Sequence, residues 1–107
     1  LNGSTTNIIN KDLIKMFKEN AIFINVARGG LVDEVALEQS LIEGTLGGAA
    51  LDVFALEPPL DNKIAHLDNV IVTPHVGGST EEAILAMGES AIAGLETFRK
   101  ASSFIIK

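Results

Sequence analysis

Three apolar segments of strand length recur along the chain and alternate with segments of helical pattern. They are AIFINVA (21–27), LGGAALDVF (46–54) and NVIVTPH (69–75). Because each is apolar at consecutive positions, it suits a strand buried on both faces, which is typical of a parallel sheet covered by helices on both sides. Residues 55–68 carry few helix signals but are numerous enough for a parallel crossover. The pattern predicts an α/β fold: a partial doubly wound parallel sheet with flanking helices, and further strands outside this sequence.

Three helical segments surround these strands. They cover residues 11–19, 31–44 and 80–100. Asn10 is expected to cap the first helix, Gly44 to end the second, and Ser79 with Glu82 to form a capping box for the third. The apolar positions of the three helices are, in chain order, Leu13, Met16 and Phe17; Val35, Leu37, Leu41 and Ile42; and Ile84, Met87, Ala91, Leu95 and Phe98.

The composition of the chain limits its compatible partners and compartments. Its 107 residues are 47% hydrophobic, which suffices for one compact domain with an aliphatic core. The net charge of −6 disfavours nucleic acid and anionic lipid as partners, and no apolar run is long enough to span a membrane. The absence of cysteine fits a reducing compartment, so a cytoplasmic location is expected. Because the chain starts at Leu1 rather than at a methionine, it is expected to be part of a longer protein.

Polar side chains concentrate where the predicted strands end. In chain order they are Arg28, Asp52, Glu57 and His75. Ligands of open parallel sheets bind just beyond the carboxyl ends of the strands, so these side chains should converge on one edge. One cation, two carboxylates and one imidazole suit a site that binds an anionic substrate and moves a proton. Glycine pairs at 29–30 and 77–78 would let the backbone approach a ligand closely.

Each of these residues also has a purely structural explanation. Arg28 and Glu57 could be ordinary loop residues, Asp52 a capping or turn acid, and His75 a structural histidine. A buried carboxylate needs partners, however, and chance placement of all four at one sheet edge is a weaker explanation than a shared site.

The other histidine, His66, lies in a polar connection and is interpreted as a surface residue. These acids and histidines lack helical or paired metal-ligand spacing, so no metal site is predicted.

The segments INVARGGLVDEVAL, GGAALDVFALEPP and NVIVTPHVGGSTEEA resemble the cofactor-domain motifs of the NAD-dependent D-2-hydroxyacid dehydrogenases, most closely the phosphoglycerate dehydrogenase branch. They occur in the order and at the spacing of that family, over roughly residues 7–98. The resemblance implies that Arg28 binds the substrate carboxylate, that His75 is the acid/base, and that Glu57 pairs with His75. It also implies that Asp52 contacts the nicotinamide carboxamide. The full set expected at the cofactor is Val26, Ala27, Arg28, Asp52, His75, Gly77 and Gly78.

The same resemblance implies a Rossmann-like fold, NAD as the cofactor with NADP as an alternative, a small 2-hydroxy or 2-keto acid as the substrate, and a homodimer. It divides the chain into residues 1–79, the C-terminal half of an NAD-binding domain, and residues 80–107, a long helix and tail that return toward a substrate domain. The G-x-G-x-x-G phosphate loop of the family does not occur in these 107 residues. The nearest string, EGTLGGAA, follows a helix and precedes a strand, the reverse of what that loop requires. The isolated chain is therefore expected to be inactive.

Two functions of other classes stay open. One is a dehydrogenase-like binding module, such as a nucleotide-sensing corepressor, which keeps these motifs but acts through partners. The other is an inactive interaction fragment, in which helix 80–100, rich in Ala, Gly and Ser, packs closely against a partner. A peptide-binding substrate domain would favour the first of them. The enzyme is the favoured interpretation.

Overall fold

The computed structural model describes residues 1–97, with only the backbone of Glu96. The chain forms two compact units, Leu1–Val76 and a second that begins at Gly77, and each is described by itself. Within residues 1–97, no helix is both long and apolar enough to cross a membrane.

Three strands form one parallel sheet in the first unit. They are β1 (Ile22–Asn25), β2 (Gly48–Leu51) and β3 (Val70–Val72), and β2 lies between the other two. The predicted α/β fold with parallel strands is confirmed. Each strand occupies only part of its apolar run, because the last residues of each run leave the sheet and form turns. These turns share one sheet edge, since the strands are parallel.

The two faces of this sheet differ in burial. Phe23, Ala49 and Val70 are aligned across the strands and pack against the core. On the opposite face, Ile24 and Ile71 are 65% and 69% exposed. Within the first unit, the helices therefore cover one face of the sheet. An apolar strand pattern predicts that a face becomes buried, but it does not say which segment of the protein buries it.

The first helix, α1 (Lys11–Ile14), is much shorter than predicted. Asn10 caps it as expected, because its side-chain oxygen accepts a hydrogen bond from the Leu13 N–H at 2.9 Å. The backbone N–H groups of Met16 and Phe17 then bond to carbonyls three residues back, which tightens the chain and ends the α-helix. The predicted apolar face is accordingly incomplete: Phe17 packs against the core, whereas Met16 is 78% exposed.

The second helix, α2 (Glu34–Ile42), begins and ends at recognisable caps. The Asp33 carboxylate accepts a hydrogen bond from the Ala36 N–H at 3.0 Å. Gly44 follows the helix with a φ of +72°, a left-handed conformation that glycine adopts without strain. The predicted stop at Gly44 is confirmed.

The centre of the core lies between α2 and the covered face of the sheet. Leu37 and Leu41 of α2 and Ile64 of the following crossover are at most 3% exposed. Two other apolar residues of the same helix, Val35 and Ile42, are 76% and 62% exposed. The apolar residues of α2 therefore cover more of the helix surface than the part that is buried.

The second unit contains one long helix, α3 (Glu81–Glu96). Its N-cap is Thr80, whose hydroxyl accepts a hydrogen bond from the Ala83 N–H at 3.2 Å. The predicted cap at Ser79 is therefore wrong by one residue. Glu82 still takes part in the start of the helix, because its carboxylate forms hydrogen bonds with its own backbone N–H and with Thr80. These hydrogen bonds lower the pKa of the Glu82 carboxyl. The predicted helix end near residue 100 and the predicted apolar position 98 lie outside the described residues.

Candidate active site

Glu57 and His75 form a hydrogen-bonded pair beyond the carboxyl ends of β2 and β3. Glu57 Oε2 lies 2.7 Å from His75 Nδ1, and Glu57 Oε1 accepts a hydrogen bond from the Phe54 N–H at 2.9 Å. The contact with His75, and after it the one with Phe54, lower the pKa of Glu57. An ionised carboxylate can only accept, so Nδ1 carries the proton of this bond. Nε2 is then the ring nitrogen that can exchange a proton with a ligand, and the His75 side chain is 46% exposed.

Arg28 borders the same concave surface as this pair. An open cavity of about 300 Å³ is lined by Leu1, Arg28, Gly29, Gly30, Phe54, Ala55, Glu57 and His75. The Arg28 side chain is exposed, and its Nη1 donates a hydrogen bond to the Ala27 carbonyl at 2.7 Å. That bond uses one of the five N–H donors of the guanidinium. The structure thus brings the predicted cation, acid and histidine to one cavity, while their catalytic roles stay predictions.

Asn25 shapes the turn that carries Arg28 and was not predicted as part of the site. Its side chain accepts a hydrogen bond from the Ala27 N–H and donates one to the Arg28 carbonyl, both at 3.1 Å. Asn25 is only 7% exposed, so these bonds satisfy an amide that burial would otherwise leave unpaired. The signal in the sequence was a single polar residue within an otherwise apolar run.

Asp52 lies at the end of β2 and is 5% exposed. Its Oδ1 accepts a hydrogen bond from the Val76 N–H at 2.8 Å and another from the Thr73 hydroxyl. Its backbone N–H donates to the Asn25 carbonyl at 3.0 Å. The buried carboxylate therefore has the partners that its burial requires. The predicted contact between Asp52 and the nicotinamide carboxamide stays a prediction.

The other residues predicted at the cofactor lie in two turns. Val26, which is 67% exposed, and Ala27, also exposed, follow β1 directly. Gly77 and Gly78 follow β3 and begin the second unit.

Gly29 serves a structural purpose different from the predicted one. It is buried, and a Cβ built on it would lie 1.9 Å from the Phe54 carbonyl carbon and 2.2 Å from the Ala55 nitrogen. The missing side chain therefore permits close contact between the turn after β1 and the segment after β2. Gly29 brings the two halves of the cavity wall together, whereas the sequence suggested close approach to a ligand.

Glu34, the first residue of α2, tethers the loop that carries Glu57 and was also not predicted. One of its carboxylate oxygens accepts a hydrogen bond from the Ala55 N–H at 2.7 Å. The other accepts from the Asn62 side-chain amide at 2.8 Å. Asn62 in turn accepts from the Ile64 N–H at 3.0 Å, which fixes its amide orientation. Both ends of the loop are thereby held against α2.

The second histidine lies apart from these contacts. His66 ends a 3₁₀ turn, Lys63–His66, and is exposed, which confirms its interpretation as a surface residue. In the part of the chain that the structure describes, no group of three His, Asp or Glu side chains could hold a metal ion.

A parallel sheet with polar side chains at its carboxyl edge is typical of a ligand-binding α/β domain. The family model described as D-isomer specific 2-hydroxyacid dehydrogenase, NAD binding domain, matches residues 1–77. The chain belongs to this family.

The alignments with curated relatives are longer than the 77 residues that the family model matches. The chain is 56% identical over 88 residues to a D-3-phosphoglycerate dehydrogenase of Methanocaldococcus jannaschii, which covers 82% of this chain and 17% of that protein. It is 48% identical over 101 residues to a glycerate dehydrogenase of Methylorubrum extorquens, covering 92% of this chain and 32% of that protein. A crystal structure of D-lactate dehydrogenase from Aquifex aeolicus, complexed with NAD and lactic acid, superposes with a TM-score of 0.78 at 30% identity, covering 92% of this chain and 34% of that one. The chain thus spans less than a third of the length of the two curated relatives.

Proposed function

We propose that the protein containing this chain is an oxidoreductase that transfers a hydride between NAD and a D-2-hydroxy acid. The observation that carries the proposal is the 2.7 Å contact between Glu57 and His75, in a cavity that Arg28 also lines. Oxidation of a 2-hydroxy acid requires a cation for the carboxylate, a base for the hydroxyl proton and an acceptor for the hydride. Arg28 and His75, which both line the cavity, would serve as the cation and the base, and membership of an NAD-binding family supports NAD as the hydride acceptor.

The proton path follows from the geometry of the pair. His75 Nδ1 is held by Glu57, so Nε2 takes the proton of the substrate hydroxyl as the carbon–oxygen bond becomes a carbonyl. The hydride from the same carbon would need an acceptor, which is the chemistry that a bound NAD would supply. Glu57 stabilises the imidazolium that results and fixes the orientation of the ring. In the reverse direction the protonated His75 returns its proton to the carbonyl oxygen.

Arg28 has the role of binding the substrate carboxylate. Its guanidinium can donate two parallel hydrogen bonds to a carboxylate, which fixes the position of the acid as well as its charge. The exposed side chain lines the cavity together with the acid/base pair. A carboxylate bound there would place the neighbouring hydroxyl carbon toward His75.

The residues around the ends of β1 and β3 fit a nicotinamide ring. Val26 and Val76 are apolar and 67% and 47% exposed, and the Val76 N–H binds the buried Asp52 carboxylate. A flat ring with one amide group needs apolar surface beside a small number of fixed polar groups. We therefore assign Val26, Ala27 and Asp52 to the cofactor pocket.

The finer features of the proposal rest on similarity. The 56% identity to a D-3-phosphoglycerate dehydrogenase supports phosphoglycerate or a similar acid as the substrate. The family resemblance supports a homodimer, and the lack of cysteine supports a reducing, cytoplasmic compartment.

Replacement of His75 in the complete protein tests the proposal. With a panel of 2-keto acids that includes phosphohydroxypyruvate, NADH oxidation should fall about 10²–10⁴-fold in His75→Gln, which is the usual contribution of general acid–base catalysis. His66→Gln is the matched control, because His66 is exposed and outside the site. Full activity of His75→Gln, or no keto-acid-dependent NADH oxidation by the unmodified protein, would contradict the proposal.

A further inference from the structure

We propose that Asp52 is a positioning residue for the acid/base histidine. Its buried carboxylate holds the turn after β3 in the conformation in which His75 Nδ1 meets Glu57. The catalytic consequence of this inference rests on the proposed function, whereas the structural part does not. Besides its predicted contact with the nicotinamide, Asp52 would thus act on catalysis by holding the turn that carries His75.

The turn that carries His75 has an unfavourable backbone conformation. His75 has a φ of +57°, in the left-handed region that residues with a Cβ seldom occupy. Such a conformation persists only where the surroundings determine it. The left-handed residue is the one whose ring bonds to Glu57, so the backbone at this position and the direction of the ring are coupled.

Asp52 bonds to the turn on both sides of His75. Its Oδ1 accepts from the Thr73 hydroxyl, two residues before the histidine, and from the Val76 N–H, one residue after it, at 2.8 Å. Backbone pairing with β2 continues up to the Thr73 N–H, which donates to the Leu51 carbonyl at 3.0 Å. One carboxylate oxygen thus fixes the flanks of the turn just where the sheet stops holding the chain.

The same residue also connects the turn of His75 to the turn of Arg28. The Asp52 N–H donates to the Asn25 carbonyl at 3.0 Å, and the Asn25 side chain binds both Ala27 and Arg28. Asn25 and Asp52 are the buried polar residues of the described chain, at 7% and 5% exposure. A continuous hydrogen-bonded path therefore sets the spacing between the substrate-binding cation and the acid/base.

Removal of the Thr73 hydroxyl tests this inference without changing Asp52 itself. Thr73→Val keeps the side-chain shape but removes one donor to the carboxylate, and Thr73→Ser retains the donor. Thr45→Val is the matched control, because the Thr45 hydroxyl donates to the Ser40 carbonyl at 3.1 Å in the turn between α2 and β2. Asp52→Asn is the direct variant, because the amide oxygen of asparagine accepts hydrogen bonds more weakly than the carboxylate oxygen that both donors share.

The first measurement uses NMR on the complete protein and needs no turnover. In Thr73→Val the Val76 amide should exchange with solvent up to about tenfold faster, the size of one lost hydrogen bond, and the His75 Nδ1–H resonance should broaden or disappear. Thr73→Ser and Thr45→Val should leave both signals as they are. If Thr73→Val and Asp52→Asn both left the Val76 exchange rate and the His75 resonance unchanged, the inference would be overturned.

The second measurement uses steady-state kinetics of the complete protein. Thr73→Val should lower kcat for keto-acid reduction and leave the KM for NADH unchanged, with recovery in Thr73→Ser. Asp52→Asn should lower kcat by at least as much. A rise in the KM for NADH alone, with kcat retained in both variants, would show that Asp52 acts on the cofactor and overturn the catalytic part of the inference. If the unmodified protein does not oxidise NADH, the proposed function fails, and the NMR result still decides whether Asp52 holds the turn.

Discussion

Glu57 binds His75 with one carboxylate oxygen and the backbone of Phe54 with the other, at 2.7 and 2.9 Å. The second contact matters for the first, because it holds the carboxylate against the backbone of the segment that follows β2. The pair is therefore anchored from both sides: Glu57 through Phe54, and His75 through the turn bound by Asp52. Such an arrangement favours a pair with fixed geometry, in which the proton stays on Nδ1, over a pair whose geometry adapts to each ligand.

The lowered pKa of Glu57 predicts a specific pH dependence of stability. The folded pKa lies below the ordinary value of 4.5, so unfolding takes up a proton and ionised Glu57 stabilises the folded chain above that pH. The stabilisation is lost as the pH falls through the lowered folded value. In thermal unfolding of the chain, Glu57→Gln should therefore lower Tm relative to the unmodified chain above about pH 5, and the difference should shrink at lower pH.

The matched control for this prediction is Glu38→Gln, which makes the same chemical change on α2, outside the pair. A Tm difference for Glu57→Gln that stays constant from about pH 6 down to about pH 3 would show that the charge of Glu57 is not involved. The cause would then be packing of the side chain rather than its hydrogen bond to His75.

Arg28→Lys in the complete protein should separate substrate binding from cofactor binding. Lysine keeps the positive charge but cannot reproduce the two parallel hydrogen bonds of a guanidinium. The KM for the keto acid should rise by about tenfold or more, since hydrogen bonds to charged groups contribute about 1.5–3 kcal/mol, while the KM for NADH stays nearly unchanged. Steady-state kinetics with Arg99→Lys, the same exchange at the other arginine of the chain, provides the reference. Equal increases in both constants would assign Arg28 to the cofactor.

The sequence predicted those features that depend on neighbouring residues. Apolar runs predicted three parallel strands, and Gly44 predicted a helix end, because each is decided by a local pattern of side chains. Polar residues at strand ends predicted a shared site, because parallel strands bring their carboxyl ends to one edge. Which nitrogen, oxygen or backbone group they bind could not be predicted in the same way. The Glu57–His75 pairing joins residues 18 positions apart and came from the family resemblance alone.

The wrong predictions have physical causes outside the local pattern. The first helix ends early at two hydrogen bonds that reach three residues back, and Phe17 beyond them stacks on Phe23, which is distant in the sequence, with ring centroids 6.1 Å apart. Glu34 was missed because it reads as an ordinary acidic residue at a helix start, while its partners lie 21 and 28 residues away. Buried polar residues such as Asn25 are easier to predict, since one amide in an apolar run requires an explanation.

Gly29→Ala should destabilise the chain strongly. A methyl group there would lie 1.9 Å from the Phe54 carbonyl carbon, which is backbone and can yield only if the two segments move apart. Overpacking of this kind costs about 1–3 kcal/mol and sometimes more, so the Tm and the denaturant midpoint should both fall, or the chain should not fold. Gly3→Ala is the control, because among the described residues, its chain neighbours aside, no heavy atom lies within 4 Å of its Cβ position. Equal stability of the two variants would show that the turn after β1 does not pack on Phe54.

Glu34→Gln should loosen the loop that carries Glu57. Both partners of the Glu34 carboxylate are donors, the Ala55 N–H and the Asn62 amide, and glutamine offers one oxygen and one NH₂ group to them. In one of the two contacts, two donor groups would then face each other. Asn62 cannot turn its amide to avoid this without losing the hydrogen bond from the Ile64 N–H. The free energy of unfolding should fall by about 1–3 kcal/mol, and the amide of Ala55 should exchange faster with solvent. Glu43→Gln, at an exposed side-chain contact with Gln39 on the same helix, should change neither by a comparable amount. If the two variants were equally stable and Ala55 kept its protection, the loop would be held by the packing of its own residues, and Glu34 would have no part in placing Glu57.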